Sequence, residues 1–410
     1  MDRRLFLALA LAGLSPAGAA FAQSGPTPAD LLGVTGEAYF IDWLNGFYQR
    51  ALAAGVPRAL LDEQLSGLSS DPRITALDAQ QPEFARPVSA YIESAVNQKR
   101  IEIGREKGGS IPQFAAIEQT YGVPRDILIG VWAMESNFGA LQGDFDIIRC
   151  LATLAAAGRR RAWAEGELLA ALKIIGDGDE PRSKLRGSWA GAMGQTQFLP
   201  STYLSTAVDG DGDGRRDIWG SPVDALASAA NLLVKGGWRR GEGWAFEVIL
   251  PAGFDYGLSE NAREVPSWWR GKGVRKADGT AWSAGDGATD ATLLLPSGAS
   301  GPAFLALPNH FAIRTYNNSI AYALAVGLLA DRLAGAGPLH APWPRETPLS
   351  LTDRLDAQTA LTKLGFNPGP PDGAIGLMTR QALRAWQKSK GLPADGYLSS
   401  DIVERLRKSV

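Results

Sequence analysis

Apolar residues recur at helical spacing over most of the chain. The stretches Glu37–Ala54, Pro87–Lys107, 111–176, Val223–Lys235 and Tyr316–Ala334 predict helices, separated by Pro and Gly breaks. Residues 187–203 are glycine-rich and then helical. The pattern changes between Gly241 and Leu307. There FEVILP, TLLLP and PAFLAL alternate with turns rich in Gly, Pro and Trp, which predicts a small irregular β insertion. Residues 336–350, rich in Pro and Gly, read as a linker. A compact unit follows at 351–410, small for an independent core but feasible. The fold class is mainly α with a β insertion (α+β), and the main domain spans 23–335.

The extreme N-terminus carries a different pattern. Arg3 and Arg4 precede an apolar run, Leu5–Leu14, and Ala20-Phe21-Ala22 supplies the small residues of a cleavage site. Residues 1–22 therefore read as a cleavable signal peptide for export to the periplasm. The run is too short for a comfortable membrane span. It resembles a twin-arginine signal, although Asp2 stands where Ser or Thr is usual. With no cysteine after the run, no lipid or membrane anchor is expected.

Composition narrows the chemistry. A formal charge of −2 gives no electrostatic case for nucleic acid. Two histidines and the single Cys150 supply poorly either a His/Cys metal centre or a Ser-His-Asp triad. Cys150, in IIRCLATLAAAG, is expected as a buried thiol on a helix.

Two segments hold chemistry-bearing residues. Glu135 follows the apolar run Asp126–Met134. Either it leaves the helix into solvent, or it is buried with a raised pKa and acts as a proton donor. Asp144 and Asp146 lie nearby, but nothing in the sequence fixes either across a cleft from Glu135. The second segment is Asp209-Gly210-Asp211-Gly212-Asp213-Gly214-Arg215-Arg216-Asp217. Its spacing fits a calcium loop with Asp209, Asp211, Asp213 and the Arg215 carbonyl as ligands. Gly220 stands where the usual bidentate Glu would be, so Asp224 is the candidate to replace it. A solvated Asp-Gly turn is the other reading.

Four separated motifs together resemble the soluble lytic murein transglycosylase B family over roughly residues 35–335. They are Glu135-Ser136-Asn137-Phe138-Gly139, Ser188 through Ser201, the Asp209–Asp224 region, and Tyr316-Asn317-Asn318-Ser319 with Tyr322. In the second, Trp189 and Leu199 replace the family's Tyr and Met. Leu232 stands where an aromatic often follows the Asn at 231. Residues 351–410 resemble the peptidoglycan-binding domain 1 family.

The resemblance implies a lysozyme-like α-rich fold and an enzyme acting on peptidoglycan glycan strands. It implies Glu135 as acid and base, and Ser188, Gln197, Tyr316, Asn317 and Tyr322 as substrate-binding residues. Catalysis would need no cofactor, and calcium would be structural. A single carboxylate suffices if the C6 hydroxyl of N-acetylmuramic acid is the nucleophile, giving a 1,6-anhydro sugar. Ser188, Gln197 and Asn317 would stabilise developing charge. Gly191 and Gly194 either admit a sugar close to backbone or form a tight turn. A monomer is expected. A water-using muramidase, a non-catalytic wall-binding protein and a calcium-binding regulator are the alternatives.

Overall fold

The computed structural model describes residues 36–79, 86–286 and 289–410. The expected signal segment 1–22 lies outside them. The described residues fall into two compact units. One holds the helices between 36 and 79 together with Ile103–Lys235 and Thr315–Asn318; the other holds the chain from 86 to Glu102, Gly236–Arg314 and Ser319–Val410.

The first unit is helical because its apolar stripes are wide enough to bury whole helices. Helix Ile147–Ala157 buries every residue except Arg149 and Ala157. Asp146 caps its start by accepting from the Arg149 N–H, and Gly158 ends it in the left-handed region. The helix packs along Arg161–Gly176. Cys150 lies buried on it, as expected, and burial pushes its thiol pKa up.

Helix Arg125–Ser136 buries everything from Ile127 to Ser136. Its end is unusual: Asn137, Phe138 and Gly139 have φ of 50°, 61° and 80° in succession. An aromatic residue in the left-handed region is strained, and such strain concentrates at functional sites. A two-stranded pair, β1 (Phe145–Asp146) and β2 (Arg186–Gly187), leads into the glycine-rich loop.

The expected β insertion lies in the second unit. Its strands are β3 (Ala245–Ile249), β4 (Arg263–Glu264), β5 (Arg275–Lys276), β6 (Ala291–Leu294) and β7 (Ala303–Ala306). They form an antiparallel sheet in the order β4-β6-β7-β3-β5. Trp269, Val274, Leu293 and Leu305 are fully enclosed at its core. Helix Ile320–Leu333, apolar except for Asp331 and Arg332 in its last turn, packs on Val88–Ala95. The single helix expected over Pro87–Lys107 is two, Val88–Ala95 and Gln98–Ser110. Asn97 separates them because its side chain caps the second, accepting from Arg100 N.

The C-terminal module has three helices, Leu351–Lys363, Leu377–Ser389 and Ser400–Arg407, around Leu361, Leu383, Trp386, Val403 and Leu406. Ser350 and Asp353 form a capping box. Ser399 caps the third helix as expected, but Thr379 does not cap the second. Gly376 occupies that position, and Thr379 is buried with its hydroxyl donating to the Pro368 carbonyl.

The segment 336–350 has no helix or strand, yet it is pinned at intervals. His340 N and Ala341 N donate to the two carboxylate oxygens of Glu247 on β3, at 3.0 and 2.8 Å. Glu346 accepts from Ser89 at 2.9 Å and from the Tyr397 hydroxyl. Glu260, just before β4, accepts from both Arg380 and Arg384 at 2.7 Å. Burial alone would raise the Glu260 pKa, but the two guanidinium groups pull it below its ordinary value. Asp395 accepts from Ala299 N at 2.8 Å. The module is thus part of the same compact unit as the sheet.

Candidate active site

Glu135 is 5% exposed, in the last turn of Arg125–Ser136, so it does not leave the helix into solvent. The same unit contains four of the five residues expected to meet substrate: Ser188, Gln197, Tyr316 and Asn317, all buried. Tyr316 packs its ring 5.9 Å from that of Phe198. Burial, with the charge of Glu135 as a second cause, raises its phenol pKa well above the ordinary value. Tyr322 belongs to the other unit, buried in the first turn of Ile320–Leu333, where its N–H donates to Ser319 Oγ.

The loop between β2 and helix Pro200–Thr206 is tied to itself. Ser188 Oγ accepts from Ala192 N at 3.0 Å, and Ser188 N donates to the Ala192 carbonyl at 2.7 Å. Met193 and Phe198 pair backbone to backbone. Gln197 has φ 52°, a strained value that turns its side chain inward. Its Nε2 donates to the carbonyls of Gly194 at 2.8 Å and Gln142 at 3.0 Å. Its Oε1 is buried with no hydrogen-bond partner among the described residues.

Gly191 and Gly194 have φ of 94° and 68°. A Cβ at Gly191 would strike Leu151, and one at Gly194 would strike Ile218. Protein atoms alone are enough to demand glycine here, as the tight-turn reading expects.

Neither nearby aspartate is placed as a second catalytic carboxylate. Asp146 is spent as a helix cap and in an ion pair with Arg182 at 3.0 Å, and Asp144 is exposed. An open cavity of about 850 Å³ does lie among the described residues, but within the second unit. Trp244, Phe246, Asp331 and Trp343 line it, and Glu135 does not.

The aspartate loop gathers as its spacing predicts. Carboxylate oxygens of Asp209, Asp211, Asp213 and Asp224 lie within 4.8 Å of one another. The first three are exposed, whereas Asp224 is fully buried at the start of helix Pro222–Lys235. Asp224 also holds the loop in shape: Oδ1 accepts from Gly210 N at 2.8 Å and Asp211 N at 3.2 Å, and Oδ2 accepts from Asp217 N at 2.8 Å. The guanidinium of Arg215 is directed to Glu180 at 2.9 Å. An all-oxygen donor set of this kind fits a hard cation such as calcium.

The sequence profile of the transglycosylase SLT domain family matches residues 39–331. The chain belongs to that family. A peptidoglycan binding domain profile matches residues 350–406, the three-helix module. Among curated relatives, membrane-bound lytic murein transglycosylase B of Escherichia coli K12 is 36% identical over 225 residues. That match takes in 53% of this chain and spans 58% of the relative's length. The solved structure of SltB3 from Pseudomonas aeruginosa in complex with NAG-anhNAM-pentapeptide is 48% identical, with a TM-score of 0.86 over 90% of this chain and 99% of that one. Escherichia coli Slt35 in complex with calcium is 30% identical, with a TM-score of 0.61 over 71% of this chain and 92% of that one. The mostly helical fold is that of lysozyme-like lytic transglycosylases.

One contributor near Glu135 was not singled out from the sequence. Gln195 is 4% exposed and bonds to residues on both sides of Glu135. It lies within the Ser188–Ser201 motif, and only that placement could have drawn attention to it.

Proposed function

We propose that the chain is a lytic transglycosylase that cleaves the β-1,4 bond between N-acetylmuramic acid and N-acetylglucosamine in peptidoglycan. The observation that carries the reading is the carboxylate of Glu135, buried at the strained end of its helix, with Asp146 committed to Arg182 and Asp144 exposed. The carboxyl of Glu135 donates its proton to the glycosidic oxygen as the C1–O bond breaks. The resulting carboxylate takes the proton of the C6 hydroxyl, whose oxygen bonds to C1 and closes the 1,6-anhydro ring. No water is consumed, and Glu135 ends protonated for the next cycle. Gln197, Ser188 and Asn317 supply polar groups to the developing positive charge, and Tyr316 joins them in binding substrate. That SltB3 was solved with an anhydro-sugar fragment supports this product.

The reaction needs no cofactor. Asp209, Asp211, Asp213 and Asp224, with the Arg215 carbonyl, would hold a structural calcium, consistent with Slt35 having been solved with that ion. The module at 351–410 binds the polymer, and the enzyme works as a monomer in the periplasm after loss of residues 1–22. No helix among the described residues is long and apolar enough to cross a membrane.

The test is mass spectrometry of muropeptides released from purified sacculi by the parent and by Glu135→Gln. Products one water lighter than their hydrolysed counterparts are expected from the parent, and none from the variant. Hydrolysed reducing ends would make the protein a muramidase, and release by both proteins would remove Glu135 from the chemistry.

A further inference from the structure

Gln195 grips the turn that carries Glu135 with both its side chain and its backbone. Gln195 Oε1 accepts from Trp132 Nε1 at 3.0 Å, one turn before Glu135. The Gln195 carbonyl accepts from Ser136 Oγ at 2.6 Å, directly after Glu135. Ser136 Oγ in turn accepts from Gly139 N at 3.0 Å, which closes the left-handed turn Asn137–Gly139. On its far side Gln195 Nε2 donates to the Trp219 carbonyl at 3.1 Å, and Gln195 N donates to the Ile218 carbonyl at 2.9 Å. The fit is close. A Cβ at Gly139 would sit 2.6 Å from Gln195 Oε1, so only glycine, at φ 80°, leaves room.

We propose that Gln195 is a positioning residue that fixes the orientation of Glu135; this rests on Glu135 being the acid. The chemistry singles out an amide. Its oxygen must accept from an indole while its nitrogen donates to a carbonyl, and both ends are buried. A leucine fills the space but makes neither bond. A glutamate makes both only while protonated, because the ionised form cannot donate to the Trp219 carbonyl and sets two acceptors against each other. Gln195 does not need to touch the sugar. Its side chain ties Trp132, one turn before Glu135, to the Trp219 carbonyl, and its backbone carbonyl holds Ser136, one residue after, so loss of the side-chain bonds releases Trp132 and misaligns the carboxyl rather than removing a substrate contact.

The experiment measures kcat and KM on soluble glycan fragments, against pH, for the parent, Glu135→Gln, Gln195→Leu and Gln195→Glu. Gln195→Leu is expected to lose on the order of 10²-fold in kcat, the scale of a small misplacement, with KM within about twofold. Gln195→Glu is expected to approach parental kcat at the acidic end and to lose it as the new carboxyl ionises, a limb the parent lacks. Parental kcat in Gln195→Leu, a change confined to KM, or a parental pH profile in Gln195→Glu would overturn the proposal. If Gln195→Leu does not fold, the pH profile of Gln195→Glu decides alone. Glu135→Gln separates the two readings: activity in that variant removes the acid assignment itself, whereas its inactivity beside an undisturbed Gln195 series removes only the positioning role.

Discussion

Tyr316 is enclosed near Glu135, and the charge of that glutamate adds to burial in keeping its phenol protonated. The hydroxyl has no hydrogen-bond partner among the described residues. Leaving such a group buried costs about 1–3 kcal/mol. Tyr316→Phe should therefore fold with undiminished or slightly greater stability, because the ring contact with Phe198 is kept. If the hydroxyl meets substrate, KM should rise several-fold while the melting temperature holds. Unchanged kinetics would assign Tyr316 to packing alone.

For the aspartate loop, a bound divalent ion stabilises the fold by mass action, about 2.7 kcal/mol at a hundredfold excess over its dissociation constant. The parent should melt at a higher temperature in millimolar calcium than in chelator. Asp209→Asn combined with Asp213→Asn should abolish the difference, since both carboxylates are exposed members of the cluster that would hold the ion. Asp224 is a poor choice for this test because it is fully buried, so a change there disturbs packing as well. Equal melting of the parent with and without calcium would make the loop a turn.

Glu260 predicts a stability effect with a defined sign in pH. Its folded pKa is lowered by Arg380 and Arg384, so its contribution is present above the unfolded carboxylate pKa and is lost as pH falls through the folded one. Glu260→Gln should destabilise the protein by about 2–4 kcal/mol at neutral pH, since it strands the largely buried Arg384. The loss should shrink toward acid. Thermal unfolding at pH 7 and pH 3 checks both statements.

Asp331 has the opposite sign. Burial, only partly offset by the Trp244 indole N–H, raises its pKa to about 6. Its contribution is present below the unfolded value near 3.8 and is lost as pH rises through 6. Asp331→Asn keeps an acceptor for Trp244, and should gain stability over the parent between pH 4 and pH 7 by at most about 3 kcal/mol. A constant difference across that range would show that the carboxyl does not titrate there.

The parts of the site legible from sequence are those where the chemistry demands a residue type at a fixed spacing. Glu135 after an apolar run, the aspartates at alternate positions, and Asp224 in place of Gly220 all came from such constraints, and the structure buries or gathers them accordingly. Gln195 was not legible, because its partners Trp132 and Trp219 are 63 and 24 residues away and meet it only in three dimensions. The helix break at Asn97 was hidden by apolar spacing that runs on through it. The glycines of the 188–198 loop were visible, but the side chains that crowd them, Leu151 and Ile218, were not.

The pinning of 336–350 changes what that segment can do. A Pro- and Gly-rich connector usually stores conformational entropy, which sets the reach and avidity of whatever it carries. Here Glu247 and Glu346 have already spent that entropy in folding. The C-terminal module therefore cannot search a volume around the sheet. It presents its surface at one angle, so a polymer held there is gripped with a direction as well as a location, and inserting extra residues into the connector would cost that direction before it gained any reach.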